Sequence, residues 1–268
     1  MMKQNELSPK YGNWISGSKL EMIMTLVVVF ILMTTISFLP FVKRWIPDVV
    51  LLWVLRSLLL LLSCLSTWIL YVFCRAYYIF SYDAGGLSGR IIRFVAESIW
   101  CEGCKHILDI GCGSGALTIE IAKRFPEAKV TGVDYWGRGW DYSKAQCERN
   151  AWIEGVNSRT VFMQGDAAKL PFTDGEFDVV VSNLTFHEVR SQPDKKQVIK
   201  EALRVVKPGG IFALHDLFYD HSKYGETKEL EFFLKDLATD IHLKPTADEV
   251  DVPKGVFLKN IGMIYGMK

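Results

Sequence analysis

The sequence predicts an α/β fold: a doubly wound, mostly parallel sheet preceded by two membrane-spanning helices. Three observations carry this. The first third of the 268-residue chain holds two long, uncharged apolar runs. From residue 106 onward, short apolar runs alternate with segments of helical periodicity, the texture of successive parallel β-α units. Between the first of those strands and its helix lies LDIGCGSG, residues 108–115. A glycine-rich turn has meaning in that context, because it lets a ligand approach backbone at a helix N-terminus.

The apolar runs are Met22–Leu39 and Ser57–Cys74. As helices, at about 22–40 and 56–76, each matches the ~30 Å hydrocarbon core. Arg56 and Arg75 flank the second run, and Trp45, Trp53, Tyr71, Tyr77, Tyr78 and Tyr82 are placed as interfacial aromatics. Pro40–Pro47 is a short connection, so the spans form a hairpin. Lys3, Lys10 and Lys19 lie before it, Lys43 and Arg44 in the connection, and Arg75, Arg90 and Arg93 after it, a balance that favours both ends in the cytoplasm. The expected division is 1–81 for the hairpin segment, 82–104 for a linker and amphipathic helix, and 105–268 for the α/β domain.

Within the linker, Ser88 is placed as the N-cap of a helix running to about Trp100. Strands follow at 106–110, 128–134, 160–164 and 177–183, with helices at 116–125 and 143–155. Pro193 opens a helix at 194–206. KPGG (207–210) reads as a turn, 211–216 as a strand and 226–241 as one more helix. The tail reads as two short strands around Lys259 and Asn260.

Charge excludes little else. Thirty-one basic residues face 30 acidic ones, which gives no electrostatic case for nucleic acid. Six cysteines form no disulfide framework. The lone C-x-x-C at Cys101 and Cys104 lacks the second pair of a zinc site, so no metal is expected.

Gly111, Gly113 and Ala116 fit a dinucleotide loop as well, and an NAD(P)-dependent oxidoreductase stays open on that motif alone. Three features weigh against it. Asp109 stands two residues before the first glycine, where it would repel a pyrophosphate but serve a cationic ligand. QGDA (164–167) puts Asp166 at the sheet edge. LPFTDGEFDVVVSN (170–183) leads into the fourth strand. From about residue 105 to 216 the chain resembles a class I S-adenosylmethionine-dependent methyltransferase of the small-molecule or quinone type. The motifs D-x-G-x-G-x-G, an acid ending strand two, GDA, LPF-x-D-x-x-FD and K-P-G-G all occur in order.

The resemblance implies a Rossmann-like sheet whose last strand is antiparallel, with S-adenosyl-L-methionine as cofactor. It implies that Gly111, Gly113 and Gly115 approach the methionine part, with Asp109 beneath. Asp134, with Tyr135 beside it, would take the ribose hydroxyls, and Asp166 with Ala167 the adenine. Asn183 and Leu184 would line the methyl-transfer site. A hydroxyl or carbon-acid acceptor needs a base; His187 is the first candidate and Glu188 the second. Asp216 reads as a solvated loop charge and His215 as structural. The membrane hairpin favours a small, apolar or lipid-like acceptor, with the bilayer as a partner and the catalytic domain facing the cytoplasm. A membrane protein that only binds the cofactor also remains open. The stretch YWGRGW after Asp134 (135–140) is longer than the family's usual loop and is expected to form a wall or lid beside the ribose, with Arg138 facing the cofactor carboxylate, a lipid phosphate or solvent.

Overall fold

The computed structural model describes residues 7–13, 15, 17–82, 86–137, 142–253 and 258–268. It divides into two units, Asn13–Gly86 and the rest. Residues up to Gly12 and the helix after Gly86 therefore group with the α/β unit.

The hairpin unit comprises α1 (Gly17–Ser37), a single turn α2 (Val42–Trp45) and α3 (Val49–Ile79). Both long helices are apolar and long enough to cross a membrane. α1 starts before its apolar run but stops at Ser37, short of Leu39, whereas α3 extends past its run at both ends; Asp48 caps α3 by accepting from Leu51 N at 2.9 Å. Some of the polar residues face inward, Ser37, Arg56, Ser63 and Ser66 among them. Thr34 and Ser63 hydroxyls meet at 2.9 Å across the pair. Arg56 is buried, donating to Ser37 O through Nε and Nη2 at 3.1 and 2.8 Å and lying 4.4 Å over the Phe38 ring. Leu58, Leu60, Leu61, Leu65 and Trp68 stay exposed.

The α/β unit begins with α4 (Leu87–Glu97) and alternates from there: β1 (His106–Ile110), α5 (Ala116–Arg124), β2 (Lys129–Asp134), α6 (Lys144–Ile153), β3 (Thr160–Gln164), β4 (Phe177–Asn183), α7 (Lys195–Arg204) and β5 (Val206–Asp216). Two short helices, α8 (His221–Tyr224) and α9 (Thr227–Lys235), precede β6 (Thr239–Pro245), α10 (Thr246–Glu249) and β7 (Gly262–Met267). The sheet order is β3-β2-β1-β4-β5-β7-β6. The first five strands pair in parallel, and β7 runs antiparallel to both β5 and β6. Strand order reverses between β1 and β4, the switch point where open α/β sheets bind ligands.

Alternation along the buried strands supplies the core. Leu108, Ile110, Val180, Phe212 and Leu214 pack with Val198, Ile199, Ala202 and Leu203 of α7 and with Leu230 and Leu234 of α9.

Several boundaries differ from the sequence expectation. Ser88 lies buried inside the first turn of α4 rather than capping it. Asp194 is the N-cap of α7, accepting from Lys196 N, so Pro193 sits one residue outside. KPGG belongs to β5: the C-terminal residue pairs with it, through Gly209 N to Lys268 O and Lys268 N to Gly210 O at 2.7 and 2.9 Å. Gly209 takes a left-handed φ of +74°, so a turn signal here marks an irregularity within a strand. The helix expected to reach 241 stops at Lys235. TDIHLKP (239–245) is instead an edge strand, and its partner is 262–267. Of the two strands expected in the tail, the second is β7; the first, before Lys259, falls mainly on residues 254–257, outside the described ones.

Candidate functional site

The loop from β1 to α5 turns on Gly111, Gly113 and Gly115, all at left-handed φ (+76°, +55° and +83°). Gly111 has a second constraint. A Cβ there would lie 2.0 Å from Thr185 Oγ1, so the β1 and β4 loops can touch only if this residue has no side chain. Gly113 faces open space apart from the Tyr142 ring, 3.5 Å from an added Cβ.

Asp109 ends up beneath this loop and is fully buried. One oxygen accepts from Thr118 Oγ1 at 2.6 Å; the other, Oδ1, has no partner. Burial, aided by the nearby Asp134 charge, pushes its pKa up to about 7. A buried carboxyl short of one partner is stabilised by a proton or by a positive charge brought to it.

Asp134 closes β2. Its Oδ2 accepts from Gly113 N at 2.8 Å and its Oδ1 from Trp136 N at 2.7 Å. Trp136 has φ +44° and its indole N–H donates to Gly113 O at 2.9 Å. The first half of the aromatic stretch thus folds back on the glycine loop. Tyr135 is 65% exposed, and its carbonyl is fixed by Gln164 Nε2 at 3.0 Å. Arg138, Gly139, Trp140 and Asp141 lie outside the described residues, so the expectation for Arg138 falls there.

Asp166 and Ala167 follow β3 at the same edge. Asp166 Oδ1 accepts from Ala168 N at 2.9 Å and from Ser191 Oγ at 3.0 Å. The Ser191 bond ties the β3 loop to the segment after β4.

Beyond β4, Asn183 Oδ1 is 2.8 Å from His215 Nδ1, and His215 Nε2 is 2.8 Å from Thr246 Oγ1. Burial pushes the His215 pKa down to about 4, so the ring is neutral at pH 7. Its Nδ1–H then donates to Asn183 Oδ1, which leaves the Asn183 amide NH2 as a donor. Leu184 has φ +51°, and a 3-10 turn, Phe186–Glu188, follows.

That turn delivers His187 to Asp216. Nδ1 and Oδ1 are 2.6 Å apart. The side chain of Asp216 is 1% exposed and that of His187 16%, so Asp216 is not the solvated loop charge the sequence suggested. The carboxylate also accepts from the amides of Phe186, His187 and Leu217, at 2.7, 3.3 and 2.6 Å. Glu188 lies half-exposed, with Oε1 3.5 Å from His187 Nε2. Sequence reasoning missed Asp216 because its partner is 29 residues away, in the turn after β4. It missed the Trp136 contact because indole donors leave no motif.

The expected cofactor residues and the catalytic candidates Asn183, His187 and Glu188 all gather on the carboxyl edge of β1 to β5. Among the described residues no cluster of His, Cys, Asp and Glu could hold a metal, and the described cysteines are free. This combination of a doubly wound sheet, a glycine loop over a buried acid and an acid ending β2 defines a class I α/β cofactor-binding domain.

Comparison with known proteins gives its family. Residues 108–214 match the methyltransferase-domain family, so the chain carries a methyltransferase domain. A sterol 24-C-methyltransferase of Gibberella zeae is 35% identical over 145 residues, 54% of this chain and 35% of its own length. A demethylmenaquinone methyltransferase of Lactococcus lactis is 37% identical over 105 residues, 39% of this chain and 38% of its own. The chain therefore spans little more than a third of either relative. The solved structure of an O-methyltransferase family protein from Burkholderia thailandensis shares the fold, with a TM-score of 0.51 at 16% identity over 68% of this chain and 56% of that one.

Proposed function

We propose that the protein is a membrane-anchored S-adenosylmethionine-dependent methyltransferase acting on a small, apolar acceptor that carries an ionisable O–H or C–H group. The observation that carries it is the His187–Asp216 pair, held 2.6 Å apart on the sheet edge that also bears the glycine loop. The hairpin supports the apolar acceptor, since two exposed apolar helices bring the domain to a bilayer. The sterol and menaquinone relatives point the same way. Positive charge before and after the hairpin supports a cytoplasmic domain.

The residues present fit the cofactor. Asp109 Oδ1 lacks a partner and would hold the ammonium of its methionine part. Gly113 leaves backbone approachable, Asp134 would take the ribose, and Asp166 with Ala167 the adenine. When bound, the cofactor supplies a methyl group on a sulfonium, a good leaving arrangement. The chain must then align the acceptor and remove its proton. With Nδ1–H given to Asp216, His187 Nε2 carries the lone pair. It would take the acceptor proton, so that the acceptor oxygen or carbon keeps the electron pair with which it accepts the methyl group the cofactor would supply. The buried Asp216 carboxylate stabilises the imidazolium so formed. Asn183 donates from its oriented amide toward the acceptor.

The test is incubation of the full chain, in lipid nanodiscs, with methyl-labelled cofactor and a total lipid extract. Label is expected in one organic-soluble product. Label confined to water-soluble products would overturn the apolar acceptor. Calorimetric binding of NADH with none of S-adenosylhomocysteine would overturn the methyltransferase reading.

Asp109 gives a separate prediction. Its folded pKa is raised to about 7 from the ordinary carboxylate value, by burial first. A raised carboxylate favours the folded state at low pH, and that contribution fades as pH rises toward 7. A cationic ligand reverses the preference, because it needs the ionised form. The dissociation constant for S-adenosylhomocysteine should fall about tenfold per pH unit up to about 7 and level off above. Methylthioadenosine, which lacks the amino-acid part, should bind with no such slope. Equal slopes for the two ligands, measured by calorimetry, would remove Asp109 from the ammonium site.

A further inference from the structure

The glycine loop is gripped by the first described residues of the chain. Lys10, Tyr11 and Gly12 belong to the α/β unit, although the whole segment Asn13–Gly86 separates them from Leu87. Asn150 of α6, fully buried, is the clamp. Its Oδ1 accepts from Lys10 N at 2.8 Å, and its Nδ2 donates to Lys10 O at 2.8 Å and to Ser114 O at 3.0 Å. Gln146 Nε2 also donates to Lys10 O, at 2.7 Å. Ser114, within the glycine loop, donates from Oγ to Tyr11 O at 2.7 Å. The Tyr11 hydroxyl reaches Glu154 Oε1 at 2.9 Å, and Glu154 is paired with Lys123 at 2.6 Å.

Gly12 completes the contact. It has φ +78°, and a Cβ there would fall 2.6 Å from the Tyr142 ring. The opposite edge of that ring lies 3.5 Å from the Cβ position of Gly113. Tyr142 is therefore held between the strap and the loop that would face the cofactor. Simple packing of a chain end needs only apolar contact. Here one bond joins strap and loop directly, from Ser114 Oγ to Tyr11 O, and Asn150 bridges the two by holding both Lys10 and Ser114 O. Asn150 and Ser114 are both buried, so undocking would leave their polar atoms to be satisfied elsewhere, which is costly.

We propose that residues 10–12 are a strap that fixes the cofactor loop, with Asn150 as its positioning residue, and that strap docking and cofactor binding are mutually reinforcing. This rests on the cofactor reading above. By linkage, a ligand that prefers the docked loop must tighten the strap as much as the strap tightens the ligand. The residue after Gly12 is Asn13, where the hairpin unit starts, so the device lies directly on the chain leading into it.

The test measures S-adenosylhomocysteine affinity by calorimetry and amide exchange of residues 10–12, on the full chain in detergent. Asn150→Leu removes three strap and loop bonds at nearly constant volume and should weaken affinity at least tenfold. Because that substitution can also unfold the chain, the double variant Gln146→Ala with Tyr11→Phe serves beside it. It trims the strap contacts at their edges and should weaken affinity three- to tenfold. Exchange at residues 10–12 of the wild type should slow at least fivefold at saturating ligand. Wild-type affinity in a folded variant of either kind, or exchange indifferent to ligand, overturns the strap. No binding by the wild type at all overturns the cofactor reading, and the strap with it.

Discussion

His187→Gln should lower kcat by about 10²- to 10⁴-fold, the usual worth of a positioned general base, while S-adenosylhomocysteine affinity changes less than threefold. Gln keeps hydrogen-bonding capacity but offers no basic nitrogen. Asp216→Asn should lower kcat by a similar factor for a different reason. Asp216 accepts from His187 Nδ1 and from three backbone amides. An amide side chain must turn its NH2 toward one of those donors, so either the ring loses its tautomer or a buried N–H is left unpaired, at about 1–3 kcal/mol. The second variant should therefore lose thermal stability as well as rate, and the first should not. Single-turnover rates and thermal melts of the two variants supply the measurement. A kcat within threefold of wild type for His187→Gln would mean an acceptor that needs no base, such as an amine or thiol.

Much of this site was legible because local patterns carry it. LDIGCGSG announces its own conformation: three glycines at positive φ are a backbone requirement that the sequence writes directly. Asp134 and Asp166 follow strands that the apolar runs mark plainly. The pairing of His187 with Asp216 is different, since it depends on the order in which β4 and β5 lie side by side, with Asn183 opposite His215. No spacing encodes that. The strap was illegible for the same reason, as Lys10 and Asn150 are 140 residues apart. The edge strand β6 escaped although Ile241 and Leu243 alternate with exposed polar residues, because the helical pattern before it runs on through Ile241. Its identity comes from the antiparallel pairing with β7.

Asp134→Ala should weaken S-adenosylhomocysteine binding at least 100-fold. Two charge-assisted hydrogen bonds to ribose hydroxyls, at about 1.5–3 kcal/mol each, account for 10²- to 10⁴-fold. The structure adds a second route to the same loss. Asp134 also accepts from Gly113 N and Trp136 N, so alanine releases the glycine loop and the indole that lies against it. The two routes separate with a ligand lacking one ribose hydroxyl. If Asp134 contacts the ribose directly, the 2′-deoxy ligand should bind wild type about tenfold more weakly than the parent ligand, yet Asp134→Ala should not distinguish them. The coupling between the side chain and the hydroxyl is then the direct contribution, and the remainder of the loss belongs to the loop. If the deoxy ligand suffers equally in both proteins, Asp134 acts only by holding Gly113 and Trp136 in place. Asp134→Asn sharpens the division, since it retains one oxygen for one of the two amides but not the negative charge, and it should bind between wild type and alanine. The fold should survive each change, because Asp134 closes its strand at the edge of the sheet and β2 keeps its pairing with β1 and β3.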